Sequence, residues 1–225
     1  MSLPLVACDQ APENDSYFPI SKGRSWLYNV STHFEGTTPD EVPMRIDALG
    51  SANLDGEIAW RRHTDTGMDY WVRADDTGIF RVSSKSALQR NRLEDVPHQY
   101  VLKQPYEVGN SWETITTSHV LRWRNQTPHR VSHRYPKIPM EHTIVKTGAA
   151  VSTLAGDFGD CIVVDGLSKV RLWVDAAFGW RDIPLNQKEW YCAGVGLVKM
   201  TREELSPSRF MVGGTMAFEL IDWSE

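Results

Sequence analysis

The stretch Trp190-Tyr-Cys-Ala-Gly-Val-Gly-Leu-Val-Lys199 leaves room for little but a tight β-hairpin. Aromatic and β-branched residues flank Gly194 and Gly196, the residue type that reaches positive φ without steric cost. An earlier stretch, Asp69-Tyr-Trp-Val-Arg-Ala-Asp-Asp-Thr-Gly78-Ile-Phe-Arg-Val82, has the same layout of aromatic pair, turn, glycine, apolar residue and basic residue. Each copy is preceded at a distance by a second shared signature, Lys22-Gly-Arg-Ser-Trp26 in one half and Val108-Gly-Asn-Ser-Trp112 in the other. Turn residues at 37–41, 50–56, 65–67 and 75–78 divide the first half into five short strands about ten residues apart, the pattern of a meander. Only residues 84–94 there would fit a helical turn or two. The fold class expected is mainly β, with antiparallel meanders in a curved sheet, half-barrel-like or a sandwich. Residues 1–16 are set apart as an anchor or tether, and 17–225 form a single β-rich domain with related halves at 17–104 and 105–225.

In the second half a strand is expected over 113–123, then a polar excursion over 124–140 in which Pro128, Pro136 and Pro139 speak against a helix. Strands resume at 141, and Lys169-Val-Arg-Leu-Trp-Val174 alternates cleanly, which points to a sheet with one exposed face. Nine tryptophans among 225 residues suit either the broad faces of a β core or an aromatic-lined ligand surface. The net charge of −5 opposes a nucleic-acid surface, which needs a concentrated positive field. No stretch reaches the ~18 apolar residues of a membrane span, so contact with a membrane is expected only through a lipid anchor.

Leu5-Val-Ala-Cys8 matches the lipobox in which a cysteine accepts lipid, and the acidic run Asp9-Gln-Ala-Pro-Glu-Asn-Asp-Ser16 would serve as tether. Upstream there is neither a basic region nor a full apolar one, so the stretch as it stands is not a working signal peptide. The competing reading is a cytoplasmic protein with a frayed N-terminus. Taken with Tyr17-Phe-Pro, Gly23-Arg-Ser-Trp26, the 151–161 segment Val-Ser-Thr-Leu-Ala-Gly-Asp-Phe-Gly-Asp-Cys, and the Trp190–Lys199 hairpin, the chain resembles a family of small bacterial envelope lipoproteins of uncharacterised function. The resemblance spans most of the chain. It implies a β-rich fold and an envelope address, and it supplies no activity. If Cys8 carries lipid, Cys161 and Cys192 remain, each beside a turn. They are either a disulfide of an oxidising compartment or two buried free thiols.

Several constellations could carry chemistry. Asp65-Thr-Gly67 and Asp76-Thr-Gly78 look like aspartic-protease triplets, but they lie eleven residues apart and sit where hairpins need turns. His129, His133 and His142 cluster with Glu141, a weak signal that nominates no metal, and Gly194-Val-Gly196 lacks the third glycine and the helix of a phosphate loop. Between Glu113 and Glu141 there is no acidic residue, while Arg122, Arg124, Arg130 and Arg134 interleave with Trp123 and Tyr135 as a candidate patch for a ligand or partner. No catalytic set and no cofactor is nominated. The expected function is a non-enzymatic envelope lipoprotein that binds an amphiphilic small molecule or an envelope protein. The alternatives are a hydrolase using histidine and carboxylate groups of the 124–141 excursion, or a structural assembly subunit.

Overall fold

In the computed structural model, residues 17–127, 129–206 and 208–225 are described, and Cys8 with the rest of the tether lies outside them. Four turns with glycine and a glycine-free one at 87–92 cut the first half into six strands: β1 (Ser25–Phe34), β2 (Asp40–Leu54), β3 (Glu57–Thr64), β4 (Met68–Asp75), β5 (Gly78–Ser86) and β6 (Leu93–Lys103). The segment expected to be partly helical instead extends β5, turns at 87–88 and feeds β6. The second half has β7 (Ser111–Thr116), β8 (Arg122–Trp123), one helical turn α1 (Val131–Arg134), β9 (Ile138–Thr153), β10 (Gly156–Asp175), β11 (Gly179–Cys192), β12 (Gly196–Glu204), β13 (Met211–Val212) and β14 (Gly214–Ser224). The strand expected over 113–123 therefore stops at Thr116, and its distal end pairs with β13 in a separate two-stranded sheet. A single turn of helix fits between Pro128 and Pro136 because proline excludes a long helix and leaves room for four residues.

Twelve strands form one antiparallel sheet in the order β6-β5-β4-β3-β2-β1-β14-β12-β11-β10-β9-β7. Read along the chain, this is an up-and-down walk around a barrel-like sheet that is hydrogen-bonded across β1 and β14 and unzipped between β6 and β7. Side chains bridge the unzipped seam instead. Gln99 accepts from the Ile115 N–H, the Trp112 indole donates to the Tyr100 carbonyl, and Asn110 donates to the Lys103 carbonyl. The two Gly-x-Ser-Trp signatures play matching local roles. Gly23 and Gly109 both take positive φ, and β1 and β7 both open on the serine that follows. Each tryptophan is buried with its indole N–H on a carbonyl, of Val195 for Trp26 and of Tyr100 for Trp112.

The opening segment Tyr17–Ile20 fills the interior rather than extending the sheet. Phe18 and Ile20 pack with Val72, Leu102, Trp112, Ile144, Ile162 and Tyr191, residues from both halves. Burying each of these two side chains contributes about 2 kcal/mol. Gly196 makes this possible, since at its φ of +98° a Cβ would stand 3.2 Å from the Pro19 ring. At the far end of the longest strands, Leu121, Trp123, Val131 and Met211 close over Val170, Leu172, Val174, Ile183 and Leu185. Cys161 and Cys192 face each other across β10 and β11, fully buried, and are joined by a disulfide.

Candidate functional site

Strict alternation along β11 puts Ile183, Leu185, Gln187, Glu189 and Tyr191 on one face, and the face changes from apolar to polar halfway along. On one level of the sheet Trp112, His142, Gly166, Gln187 and Arg202 are successive cross-strand partners on β7, β9, β10, β11 and β12. Gly166 is the gap in that row. A Cβ there would lie 3.0 Å from Met140 Sδ, 3.2 Å from Gln187 Cβ and 3.3 Å from His142 Cε1, so glycine is what lets these side chains converge. The result is a cavity of about 200 Å³ at the β6–β7 seam, walled by Gln99, Tyr100 and Ile115 on the seam and by Met140, His142 and Glu189 within.

On the side away from the seam the polar row is closed by a saturated ion pair. Glu204 accepts from Arg202 Nε at 2.7 Å, from the Ser118 hydroxyl, and from the N–H groups of His119, Val120 and Leu121. Arg202 also donates to Gln187 Oε1, Thr116 Oγ1 and the Thr117 carbonyl. Burial by itself would raise the Glu204 carboxyl, but the guanidinium and the N–H donors outweigh it and hold it down to about 2. His119, beside this pair, is pushed down to about 4 by burial and then by the Arg202 charge.

Glu189, on the cavity side, is in the opposite condition. Among the described residues its donors are Gln187 Nε2 and the Tyr191 hydroxyl, and burial pushes its carboxyl up to about 7. His142 is nine-tenths buried and stacked on Trp112 at 5.6 Å. Its Nε2 is hydrogen-bonded with Thr114 Oγ1 at 2.9 Å, while its Nδ1 has no hydrogen-bond partner among the described residues. Burial, then Arg202, lowers the imidazole to about 4. Glu189 Oε2 stands 3.8 Å from His142 Nδ1, within ion-pair distance, yet both groups are driven towards neutrality, so in the range between those two values this is a neutral pair. Thr114, His142 and Glu189 stand in the order hydroxyl, imidazole, carboxyl of a nucleophilic triad. A carboxyl that stays protonated to about 7 and lies 3.8 Å away neither orients the imidazole nor stabilises its cation, as that role requires.

Apart from His142, the side chains nominated from sequence lie elsewhere. Trp123 is buried in the end cluster with Tyr135 packed beside it, so the aromatic members of the candidate patch face the core. Arg134 lies over the Trp123 ring and Arg122 over Phe34, while Arg124 and Arg130 are exposed. His129 binds the Trp123 carbonyl, His133 is on α1, and His142 points into the cavity from β9. Among the described residues no three His, Cys, Asp or Glu side chains gather as metal ligands. Gln187, Glu189, Arg202 and Glu204 were missed because they sit inside regular strands. The signal was present in the pattern, since Leu185 and Tyr191 set the buried parity and Gln187 and Glu189 share it.

No family model matches the chain, and no curated protein matches it. Among solved structures it is similar to a candidate exported protein with a YmcC-like fold from Bacteroides fragilis, at 12% identity and a TM-score of 0.40 over 92% of this chain and 98% of that one. It is also similar to a candidate lipoprotein from Parabacteroides distasonis, at 14% identity and a TM-score of 0.43 over 95% of this chain and 100% of that one. Likenesses this distant carry neither an activity nor a compartment to the chain.

Proposed function

We propose that this chain is a non-enzymatic binding module of the bacterial cell envelope, taking a small or amphiphilic ligand, or a group projecting from a partner protein, between β6 and β7. The observation that carries the reading is the cavity at the unzipped seam, with a buried His142 Nδ1 that has no hydrogen-bond partner among the described residues. The Cys161–Cys192 disulfide supports an oxidising compartment, and Leu5-Val-Ala-Cys8 supports lipid attachment at Cys8. Native mass spectrometry of protein purified from its host tests the ligand. The expected result is a non-protein adduct that is lost in Ile115→Trp, a substitution on the seam wall. An adduct-free protein contradicts the reading. Peptide mass spectrometry tests the address: an N-terminus at Cys8 with two or more acyl chains is expected, and a soluble form retaining Met1 contradicts it.

The Thr114–His142–Glu189 order keeps a hydrolase as the second reading. It requires covalent labelling of Thr114 by a fluorophosphonate probe, abolished in Thr114→Val. The binding-module reading requires no labelling.

A further inference from the structure

The hydrogen-bonding inventory of the cavity narrows what it can take. Most donors in its wall are engaged: Gln99 Nε2 on the Pro97 carbonyl, Gln187 Nε2 and the Tyr191 hydroxyl on Glu189, the Tyr100 hydroxyl with Thr77 Oγ1, and Arg81 Nε and Nη2 on the two oxygens of Asp95, while the Thr114 hydroxyl keeps its own proton when it accepts from His142 Nε2. The acceptors that face each other on one wall, among the described residues, are His142 Nδ1, which has no partner there, and Glu189 Oε2, a carboxylate oxygen with room for a further donor, 3.8 Å apart. Both are acceptors when the imidazole donates through Nε2 to Thr114. Resting on the reading that this cavity is the binding site, we infer that it receives a primary ammonium group, which donates one N–H to Glu189 Oε2 and another to His142 Nδ1.

Charge and size agree with this assignment. Arg202 is matched by Glu204, and Arg81, across the cavity on β5, is matched by Asp95 of β6. Glu189 is then the acid in the cavity wall without a cation of its own, among the described residues. Its other titratable neighbours are His142 on β9 and Tyr191 on its own strand. Burial pushes the tyrosine hydroxyl well up, so it stays a donor. An ammonium supplies the missing charge and three N–H donors, and Tyr100 and Tyr191 line the space it would occupy. About 200 Å³ is roughly seven water volumes, enough for a small amine or the amino end of a larger molecule. Because the free carboxyl holds its proton up to about 7, binding below that point must displace the proton into solvent.

Isothermal titration of the full chain with ethanolamine, choline and ethylene glycol provides the test. Choline keeps the charge without N–H donors, and ethylene glycol keeps small polar size without charge. Ethanolamine should bind at pH 8 at least tenfold tighter than choline. It should bind about tenfold more weakly at pH 6, with a proton released to buffer, because the ionised fraction of Glu189 falls by about that factor. Glu189→Gln should weaken ethanolamine at least tenfold at pH 8, and His142→Gln should give a smaller loss. Thermal melts of both variants confirm the folded state. Lysophosphatidylethanolamine binding tighter than free ethanolamine identifies a lipid headgroup as the source, and the reverse order identifies a free amine. Equal binding of choline and ethanolamine, or an unchanged Glu189→Gln, overturns the ammonium assignment. Ethylene glycol binding equally to wild type and Glu189→Gln also overturns it, while leaving the cavity a binding site. Binding of none of the probes, together with no native adduct, removes both.

Discussion

Glu204 and Glu189 lie on neighbouring strands, the first fully buried and the second largely so, and both feel the charge of Arg202, yet the protein holds them in opposite states. Glu204 has five donors aimed at it and stays ionised down to about 2. Glu189 has two donors and the empty volume of the cavity, and stays protonated up to about 7. Burial raises both, so the directly bonded Arg202 charge on Glu204, and after it the larger number of donors, decides. One carboxylate ties β12 to the loop that follows β7. The other is left with its charge unmatched beside the one opening in the sheet.

The largest effect expected from this contrast is at Glu204. Glu204→Gln leaves the fully buried Arg202 without its counter-ion, and should cost about 3 to 5 kcal/mol in urea unfolding. A loss under about 1 kcal/mol would mean that the five donors do not hold a charge. The Cys161–Cys192 bridge comes next. It pairs the strand of Glu189 with β10 and closes a loop of sequence separation 31, so replacing both cysteines by alanine should cost about 3 kcal/mol. A bridge that matters only to overall stability leaves the ethanolamine affinity of the surviving folded protein unchanged. A loss of affinity would show that it also sets the site.

The pH dependence separates the two acids by sign. Glu189 is raised in the folded state, so its contribution is full below its ordinary value of 4.5 and is lost as pH rises through about 7. Wild-type stability minus that of Glu189→Gln should therefore fall by about 3 kcal/mol across that window. Glu204 is depressed, so its contribution is present above 4.5 and is lost as pH falls towards about 2. His142 and His119 are also depressed, and both add stability above 6.5 that is lost as pH falls through about 4. The wild-type curve alone thus rises where Glu189 pulls it down, and the difference curve is the informative one. A flat difference would place Glu189 in water. The smallest effect is expected at Gly166→Ala, whose Cβ meets flexible Met140 first. It should cost about 1 to 3 kcal/mol while narrowing the cavity, and ethanolamine binding should weaken more than stability does.

The meander was legible because period-two alternation and glycine turns are local. The β4–β5 and β11–β12 hairpins, the exposed face of Lys169, Arg171 and Trp173, and the curved antiparallel sheet follow from residues adjacent in sequence. The excursion was not legible. Residues 117–121 wrap a carboxylate on β12, more than eighty positions away, and Trp123 looks like a surface aromatic among arginines until Met211 pairs with it. The site failed to show for the same reason. His142, Gly166, Gln187 and Arg202 are neighbours only through three strand pairings, and each register is set by turns far from the residues it aligns. What local pattern did offer was a polar pair on a buried parity in β11. An acid there, between Leu185 and Tyr191, marks a charge that the fold must either match or keep protonated.

The measurement that bears most directly on this account is a carbon-13 NMR titration of the glutamate side-chain carboxyls, assigned with Glu189→Gln and Glu204→Gln. The account predicts that the Glu189 resonance titrates with a midpoint near 7 and that the Glu204 resonance shows no titration above about pH 3. A Glu189 midpoint at or below its ordinary value of 4.5 would contradict the unmatched acid at the seam, and with it the contrast between the two glutamates.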